Sequence, residues 1–410
     1  MLKIFLKKWI CLFVIIFFDL IIAIKTAAAF FYLFFWFLVS AVVVSFIWLV
    51  IKFFVSNLHL KRIITSQVEE DDVLEIETVV TNKGPFPLLS FILEDYLSCA
   101  VDPEKKKWAM VESLSAQSSL SVKYSCQCFN RGKYGIGPYC AYFFDPLGLF
   151  FLKKQYSISS ELYVYPQTFN IKRFPVLRKG ASPWFGIETG RVSGDEHEFY
   201  GVREYKPGDP IKRIHWFSTA RANTLIVKEF QRQVFFRATL VFNLNKDENY
   251  GEGKNSVSEY IVKIAASVAK HLISEGVSLE VIAHAGELVH IPLSKGPGHL
   301  ADILRFLAVV RPESQIKLDE MFEDFSRNFS VDSNLIVITP DQEWERLLGI
   351  PYLKGQSASL IPLILISSSF LNQYPDKVMA KEAQMKLAKV FNFSPIFFAC
   401  GSNLGDSFIG

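Results

Sequence analysis

The amino-acid sequence predicts three parts in order: an N-terminal transmembrane helical hairpin, an all-β sandwich, and an α/β domain with a mostly parallel, doubly wound sheet. Three observations predict this. Residues 10–51 form an almost unbroken apolar run, short strand-like runs separated by turns follow up to residue 167, and apolar strands alternate with helical patterns from residue 235. The chain has 410 residues, which is enough for two or three domains beside the apolar run. We place the parts at residues 1–56, 57–168 and 233–410, with a linker and signature loop at 169–232.

The apolar run divides into two stretches. Ile10–Ile24 contains Asp19 and ends before Lys25, whereas Thr26–Ile51 carries no formal charge. A spanning helix needs about 20 apolar residues. Lysines and an arginine flank the outer ends of the run, so the positive-inside rule predicts a multi-pass anchor with both termini and the following domains in the cytoplasm. The alternative is a signal peptide cleaved near residues 27–29, but Asp19 and the second apolar stretch argue against it.

The region after the apolar run is typical of a β-sandwich. Its strand candidates are short and lie between turn signals such as Asn82-Lys83-Gly84-Pro85 and Asp145-Pro146-Leu147-Gly148. The predicted strands are Val73–Val80, Phe86–Leu93, Ser119–Cys128, Tyr139–Phe144 and Leu162–Tyr165.

The last part alternates strands and helices, which predicts a mostly parallel sheet covered on both faces. Val257–Ser274 has apolar residues at helical spacing, and Gly298–Val310 ends at an Arg-Pro stop signal. The predicted strands are Arg237–Asn243, Val277–Ala283, Leu335–Thr339 and Leu360–Ile366, and a third helix is predicted at Asp376–Phe391.

The segment Tyr200–Phe230 reads YGVREYKPGDPIKRIHWFSTARANTLIVKEF. It combines a rigid Pro-Gly-Asp-Pro turn with aromatic and basic residues. If Ile211–Phe217 is extended, Arg213, His215 and Phe217 share one face of the strand. One interpretation is structural: apolar side chains pack while arginines pair with acidic residues and tie the segment onto the next domain. The other is a docking surface for a partner protein or an anionic ligand, because Arg and Trp are enriched at interface hot spots. The candidate interaction residues are Arg203, Tyr205, Gly208, Asp209, Arg213, His215, Trp216, Arg221 and Glu229.

The pattern R-x-Y-x-P-G-D-x-x-R-x-I-x-W, here Arg203 to Trp216, resembles the signature of the bacterial family called domain of unknown function 58. The strings RGKYGIGP and DPLGLF resemble the same family. The resemblance implies an inner-membrane protein with a von Willebrand factor A-like α/β domain. It also implies a MoxR-type AAA+ ATPase as partner, other membrane or envelope proteins as associates, and a role in complex assembly or envelope maintenance.

A von Willebrand A-type domain often binds a divalent ion through D-x-S-x-S after its first strand. The matching text here is Asn243-Leu244-Asn245-Lys246-Asp247, and Asp341 follows a later strand. Asn243, Asn245, Asp247 and Asp341 form a degenerate set, because a hard cation needs several oxygen ligands at short range. We therefore expect no cofactor, with Mg²⁺ at this strand end as the alternative.

The cysteines and the net charge restrict the possible functions of the chain. Six cysteines show no paired metal spacing and are interpreted as reduced structural thiols, although Cys126 and Cys128 would share one face of a strand. The net charge of +3 is too small to indicate electrostatic binding of nucleic acid.

The sequence shows no recognisable pair of a nucleophile and a general base. The favoured hypothesis is a non-enzymatic membrane-anchored adaptor acting with the ATPase, and the alternative is a divalent-metal-dependent ligand-binding protein or enzyme.

Overall fold

The computed structural model of the chain describes residues 2–26, 28–64, 67–101, 105–175, 199–207, 209, 211–230, 236–325, 334–344, 346, 360–371, 385–386, 389 and 395–409. The chain divides into two compact units. The first comprises residues 1–167 with 304–309, and the second comprises residues 168–303 and 310–410. The fold is rich in strands and contains mixed sheets, which confirms that part of the predicted fold class.

Two long apolar helices open the first unit: α1 spans Leu2–Thr26 and α2 spans Ala29–Val55. The segments Lys7–Thr26 and Ala29–Val55 have mean hydropathies of 2.4 and 2.6 and are long enough to cross a membrane. Large apolar side chains point outward along both, including Phe13 and Leu33. The predicted pair of apolar helices is therefore confirmed, and they could anchor the protein in a membrane.

Two sheets follow in the first unit. One has the order β1-β3-β6 and the other β2-β9-β7-β4-β5, with β8 pairing with β7. Buried side chains of both sheets share two apolar clusters, one around Phe91 and Phe143 and one around Leu74 and Ile136, so the sheets pack face to face. The strands are β1 Leu58–Ile64, β2 Val68–Glu69, β3 Val73–Asn82, β4 Leu88–Leu97, β5 Lys106–Leu114, β6 Ser119–Gln127, β7 Gly132–Phe144, β8 Phe151–Tyr156 and β9 Ser160–Tyr165.

The last turns of α2 belong to this β core. Leu49 is fully buried in the cluster around Phe91, and Phe53 packs against the same cluster. A loop of the β part completes the contact, because Ser45 donates to the Asp145 carboxylate over 2.5 Å and the Trp9 ring nitrogen donates to Leu149 O over 2.9 Å. The helices and the β-strands therefore fold as one unit.

The second unit begins with a two-stranded element, β10 Phe199–Glu204 and β11 Ile226–Phe230, with helix α3 Trp216–Ala222 between them. A six-stranded sheet follows, with the order β14-β13-β12-β15-β16-β17; every pair is parallel except β13 with β14. The elements are β12 Arg237–Asn243, α4 Val257–Ser274, β13 Ser278–His284, β14 Leu288–Ser294, α5 Pro297–Val309, α6 Leu318–Phe325, β15 Asn334–Pro340, β16 Leu360–Leu365 and β17 Ile396–Phe398.

The sheet order places the strand-order reversal at the first strand. β12 lies in the middle of the sheet, with β13 on one side and β15 on the other. Its buried side chains pack with α6 through Val241, Leu318 and Phe322. In open α/β sheets, ligands bind in the crevice outside the carboxyl ends of the strands at such a reversal. Most of the predicted helix Asp376–Phe391 lies outside the described residues.

Candidate functional site

The signature segment folds as a strand, a turn, a short helix and a second strand. β10 and β11 pair antiparallel, with Arg203 opposite Val227. Ile211–Phe217 is not extended, because Ile211–Arg213 forms a 3-10 turn and α3 begins at Trp216. Only Ile214 between them bridges to Val227. The caps of α3 therefore determine the local conformation, although the sequence of this segment alternates as in a strand.

An ion pair closes the turn at the end of β10. Both Arg203 guanidinium Nη atoms donate to the Asp209 carboxylate, over 2.7 and 2.8 Å, and the Lys206 backbone N–H donates to the same group over 2.9 Å. These hydrogen bonds, led by those from Arg203, lower the pKa of Asp209 to about 2. Such a bidentate pair fixes orientation as well as distance. Arg203 and Asp209 thus hold the turn in one conformation.

Both ends of α3 are capped. His215 is the N-cap, and its Nδ1 accepts from the Ser218 backbone N–H over 3.2 Å. Asn223 ends the helix in the left-handed conformation at φ 57°, which Asn tolerates better than most residues. Thr219 joins the helix to β11, because its hydroxyl accepts from the Ile226 N–H over 3.0 Å. A seven-residue helix is unstable alone, and these bonds stabilise it.

The caps leave three large apolar side chains in solvent. Ile211, Trp216 and Phe217 are 70%, 65% and 74% exposed, and we call them the aromatic patch. In contrast, Ile214 and Val227 are buried beneath the element. The structural interpretation, in which apolar side chains of the segment pack, therefore holds for Ile214 but not for Trp216. Exposed apolar patches mark binding surfaces when they exceed single scattered residues.

The other predicted interaction residues have different positions. Tyr205 extends the strand pair, since its N–H donates to Leu225 O over 2.8 Å, and Arg221 is exposed near the end of α3. Gly208 lies outside the described residues, as do the side chains of Arg213 and Glu229. Among the described residues, one of the expected ion pairs is present, between Arg203 and Asp209.

The predicted metal-binding residues lie at the carboxyl ends of the central strands but serve the fold. The side-chain amides of Asn243 and Asn245 both donate to Ile316 O, over 2.8 and 3.0 Å. Asn245 Oδ1 accepts from the Asp247 N–H, and Asp341 Oδ1 accepts from the Ser367 N–H. No three acidic or imidazole ligand atoms converge here among the described residues. These four side chains alone are a poor donor set for a hard divalent cation.

A carboxyl pair that the sequence did not indicate lies at the same strand end. Glu343 is 1% exposed and accepts from the Leu318 N–H over 3.2 Å. Burial, and then the charge of Glu248, raise the pKa of Glu343 to about 7. Burial also raises the pKa of Glu248. One oxygen of each carboxyl group and Asn243 Oδ1 have no hydrogen-bond partner in the described structure. Such a pair, with Glu343 buried and Glu248 half-buried, is a candidate for proton exchange or ligand contact.

Comparison with known proteins agrees with the signature. A family model described as "Protein of unknown function DUF58" matches residues 201–352. The chain is also 22% identical over 301 residues to the uncharacterized protein YeaD of Bacillus subtilis, covering 72% of this chain and 73% of that protein. The matched range begins inside β10 and includes the signature segment, the central strand and the carboxyl pair.

Solved structures add little. A CARDB domain from Pyrococcus furiosus is 15% identical and covers 27% of this chain and 93% of its own, with a TM-score of 0.20. The ApaA protein of Bordetella pertussis is 11% identical, covers 27% and 94%, and has a TM-score of 0.19. At these scores neither structure bears on the fold or the function of this chain.

Proposed function

We propose that this chain is a non-enzymatic, membrane-anchored adaptor whose aromatic patch docks a MoxR-type AAA+ ATPase during complex assembly or envelope maintenance. The observation that carries the proposal is the placement of Trp216 and Phe217, which are more than half exposed on a helix capped at both ends. Aromatic side chains dominate the energy of protein interfaces when a partner covers them.

The local structure supports docking because the patch is organised in advance. The Arg203–Asp209 pair, the caps of α3 and the Thr219 bond to β11 already hold the patch in one place. Less conformational entropy is then lost on association. Exposed Lys206, Lys212 and Arg221 flank the aromatic side chains, which suits a partner groove with an apolar floor and an acidic rim.

The ATPase class comes from the family resemblance, and a capture experiment tests it. The full chain is extracted in detergent and used to capture proteins from the native host. We expect a MoxR-type ATPase with wild type and at least about a tenfold lower recovery with the double variant Trp216→Ala/Phe217→Ala. Both side chains are exposed, so the fold should keep its stability within about 0.5 kcal/mol.

The matched control is Trp108→Ala, which removes an exposed tryptophan from β5 in the other unit. It should capture the ATPase as well as wild type does. Equal recovery with the double variant, or capture of no ATPase by wild type, would contradict the proposal.

The anchor and the α/β unit complete the proposed arrangement. We propose that α1 and α2 span the bacterial inner membrane and that both units lie in the cytoplasm, as the flanking basic residues suggest. We also propose that the second unit is a von Willebrand A-like domain with a doubly wound sheet; its parallel order around β12 supports this. Reporter fusions at each terminus test the orientation, since an external terminus would exclude it.

A second candidate function is ligand binding at the strand end, in a divalent-metal-dependent protein or enzyme. The buried pair of Glu248 and Glu343 at the strand-order reversal favours a site there. Calorimetry with Mg²⁺, Mn²⁺ and Ca²⁺ separates the two functions. Binding that is lost in Asp247→Ala would favour this candidate, whereas no heat with any ion would favour the adaptor.

A further inference from the structure

Three buried cysteines converge in the β part of the first unit. Cys99, Cys126 and Cys128 are at most 3% exposed, and their sulfur atoms all lie within 4.8 Å of one another. The Cys99 and Cys126 sulfurs are 4.0 Å apart. Among the residues that the structure describes, this is the one group of three or more potential metal ligands.

The fold brings these thiols together from both sheets. Cys126 lies near the end of β6 and Cys128 directly follows its last residue, whereas Cys99 lies in the turn after β4. Backbone hydrogen bonds fix Cys128, whose N–H donates to Asp72 O over 3.0 Å while its O accepts from the Asp71 N–H over 2.8 Å. The thiol cluster therefore bridges the two sheets.

We propose that Cys99, Cys126 and Cys128 form a buried three-thiolate site for a soft monovalent cation of the Cu(I) type. A cation at the centre of three sulfurs, at a metal–sulfur distance of about 2.3 Å, separates the sulfurs by about 4 Å. The observed Cys99–Cys126 separation of 4.0 Å matches that geometry before any ion is bound. Thiolates select soft cations, and Cu(I) is among those they prefer.

The cluster fits other occupants less well. Tetrahedral Zn²⁺ needs a fourth ligand, and no carboxylate or imidazole of the described residues joins the trio. A Cys99–Cys126 disulfide needs an oxidant and leaves the third thiol unused. A bound Cu(I) would instead use all three sulfurs and link β6 to the turn after β4.

The test uses the full chain in detergent, reduced and free of oxygen. Cu(I) is titrated in competition with bathocuproine disulfonate, and Cu X-ray absorption reports the ligands. We expect one equivalent with three sulfur ligands at about 2.3 Å. The affinity should fall at least about a hundredfold in Cys126→Ala and in Cys128→Ala. The matched control is Cys140→Ala, because Cys140 is also buried in the sandwich but lies outside the trio.

The outcomes decide the proposal. Binding that is retained in Cys140→Ala and lost in the trio variants, with an unchanged circular dichroism spectrum, supports it. Equal Cu(I) affinity in wild type and the trio variants would overturn it, as would a Cys99–Cys126 disulfide in the Cu-treated chain. Should a trio variant fail to fold, the ligand count in the wild-type absorption spectrum decides, since nitrogen or oxygen ligands would overturn the proposal.

Discussion

At the scale of single residues, the pKa values of two carboxyl groups in the second unit are shifted in opposite directions. Asp209 accepts two hydrogen bonds from Arg203 and stays ionised, whereas Glu343 is buried beside Glu248. Desolvation disfavours the charged form, so the folded chain holds a proton on Glu343 that the unfolded chain releases. This difference predicts a pH dependence of stability near neutrality.

The expected dependence follows from the raised pKa of Glu343. Its contribution is fully present below the unfolded pKa of about 4.3 and is lost as the pH rises through about 7. Glu343→Gln should remove about 2 kcal/mol of the stability difference between pH 5.5 and pH 8.5. Denaturant unfolding at the two pH values measures this. The exposed Glu275→Gln should leave the difference unchanged, and an equal slope in Glu343→Gln would contradict the assignment.

At the scale of elements, the loop after β7 connects strands to helices. Asp145 is 5% exposed, and its carboxylate accepts from the backbone N–H groups of Leu147, Leu149 and Phe150 as well as from the Ser45 hydroxyl. The segment DPLGLF therefore forms a turn and also binds α2 through Asp145. One side chain satisfies the loop backbone and attaches it to α2.

Removing this side chain should cost more than removing an exposed one. Asp145→Ala leaves buried donors without an acceptor, and we expect a loss of about 3 kcal/mol in the free energy of unfolding. Asp72→Ala is the matched control, because Asp72 is exposed and its carboxylate accepts one hydrogen bond, from the Glu69 N–H. Its loss should stay below about 1 kcal/mol. Thermal unfolding in detergent compares them, and equal losses would exclude this role for Asp145.

At the scale of the whole molecule, α2 serves both the proposed anchor and the β core. Its 27 residues measure about 40 Å, whereas the apolar layer of a bilayer is about 30 Å thick. The excess of about 10 Å corresponds to about seven residues. That length matches the turns from Leu49 to Val55, where Leu49 and Phe53 enter the core of the sandwich.

A pair of substitutions on the same helix tests this integration. Leu49→Ala should destabilise the β part by about 3 kcal/mol, since it leaves a cavity in a closed core. Ile51→Ala removes a similar side chain that is 54% exposed and should cost less than about 1 kcal/mol. Chemical unfolding followed through the core tyrosines measures both. Similar values would mean that α2 only tethers the β part.

The sequence predicted elements with strong periodicity and missed those fixed by distant partners. β12 and α4 match their predicted bounds because apolar spacing alone specifies them. β5 and β8 were missed because their faces alternate weakly between lysines and exposed apolar residues. Short and edge strands depend on their neighbours more than on propensity.

The sites show the same limit. The signature segment was found by its composition, but its conformation could not be read from the sequence because the caps at His215 and Asn223 override strand-like alternation. The Glu248–Glu343 pair gave no signal, since the two residues lie far apart in sequence and meet only through the sheet order. Cys99 is likewise distant from Cys126 and Cys128, so the sequence spacing showed only two of the three cysteines of that cluster.

The shared helix has a mechanical consequence. The sandwich packs around the end of the continuous helix α2 and is also bonded to it through Asp145. The described residues therefore contain no flexible joint between the helix and the sandwich. If α1 and α2 span a membrane as proposed, a partner that pulls on this unit would tilt the two helices within the lipid instead of stretching a flexible linker. A force applied to the sandwich would then be transmitted directly to the bilayer.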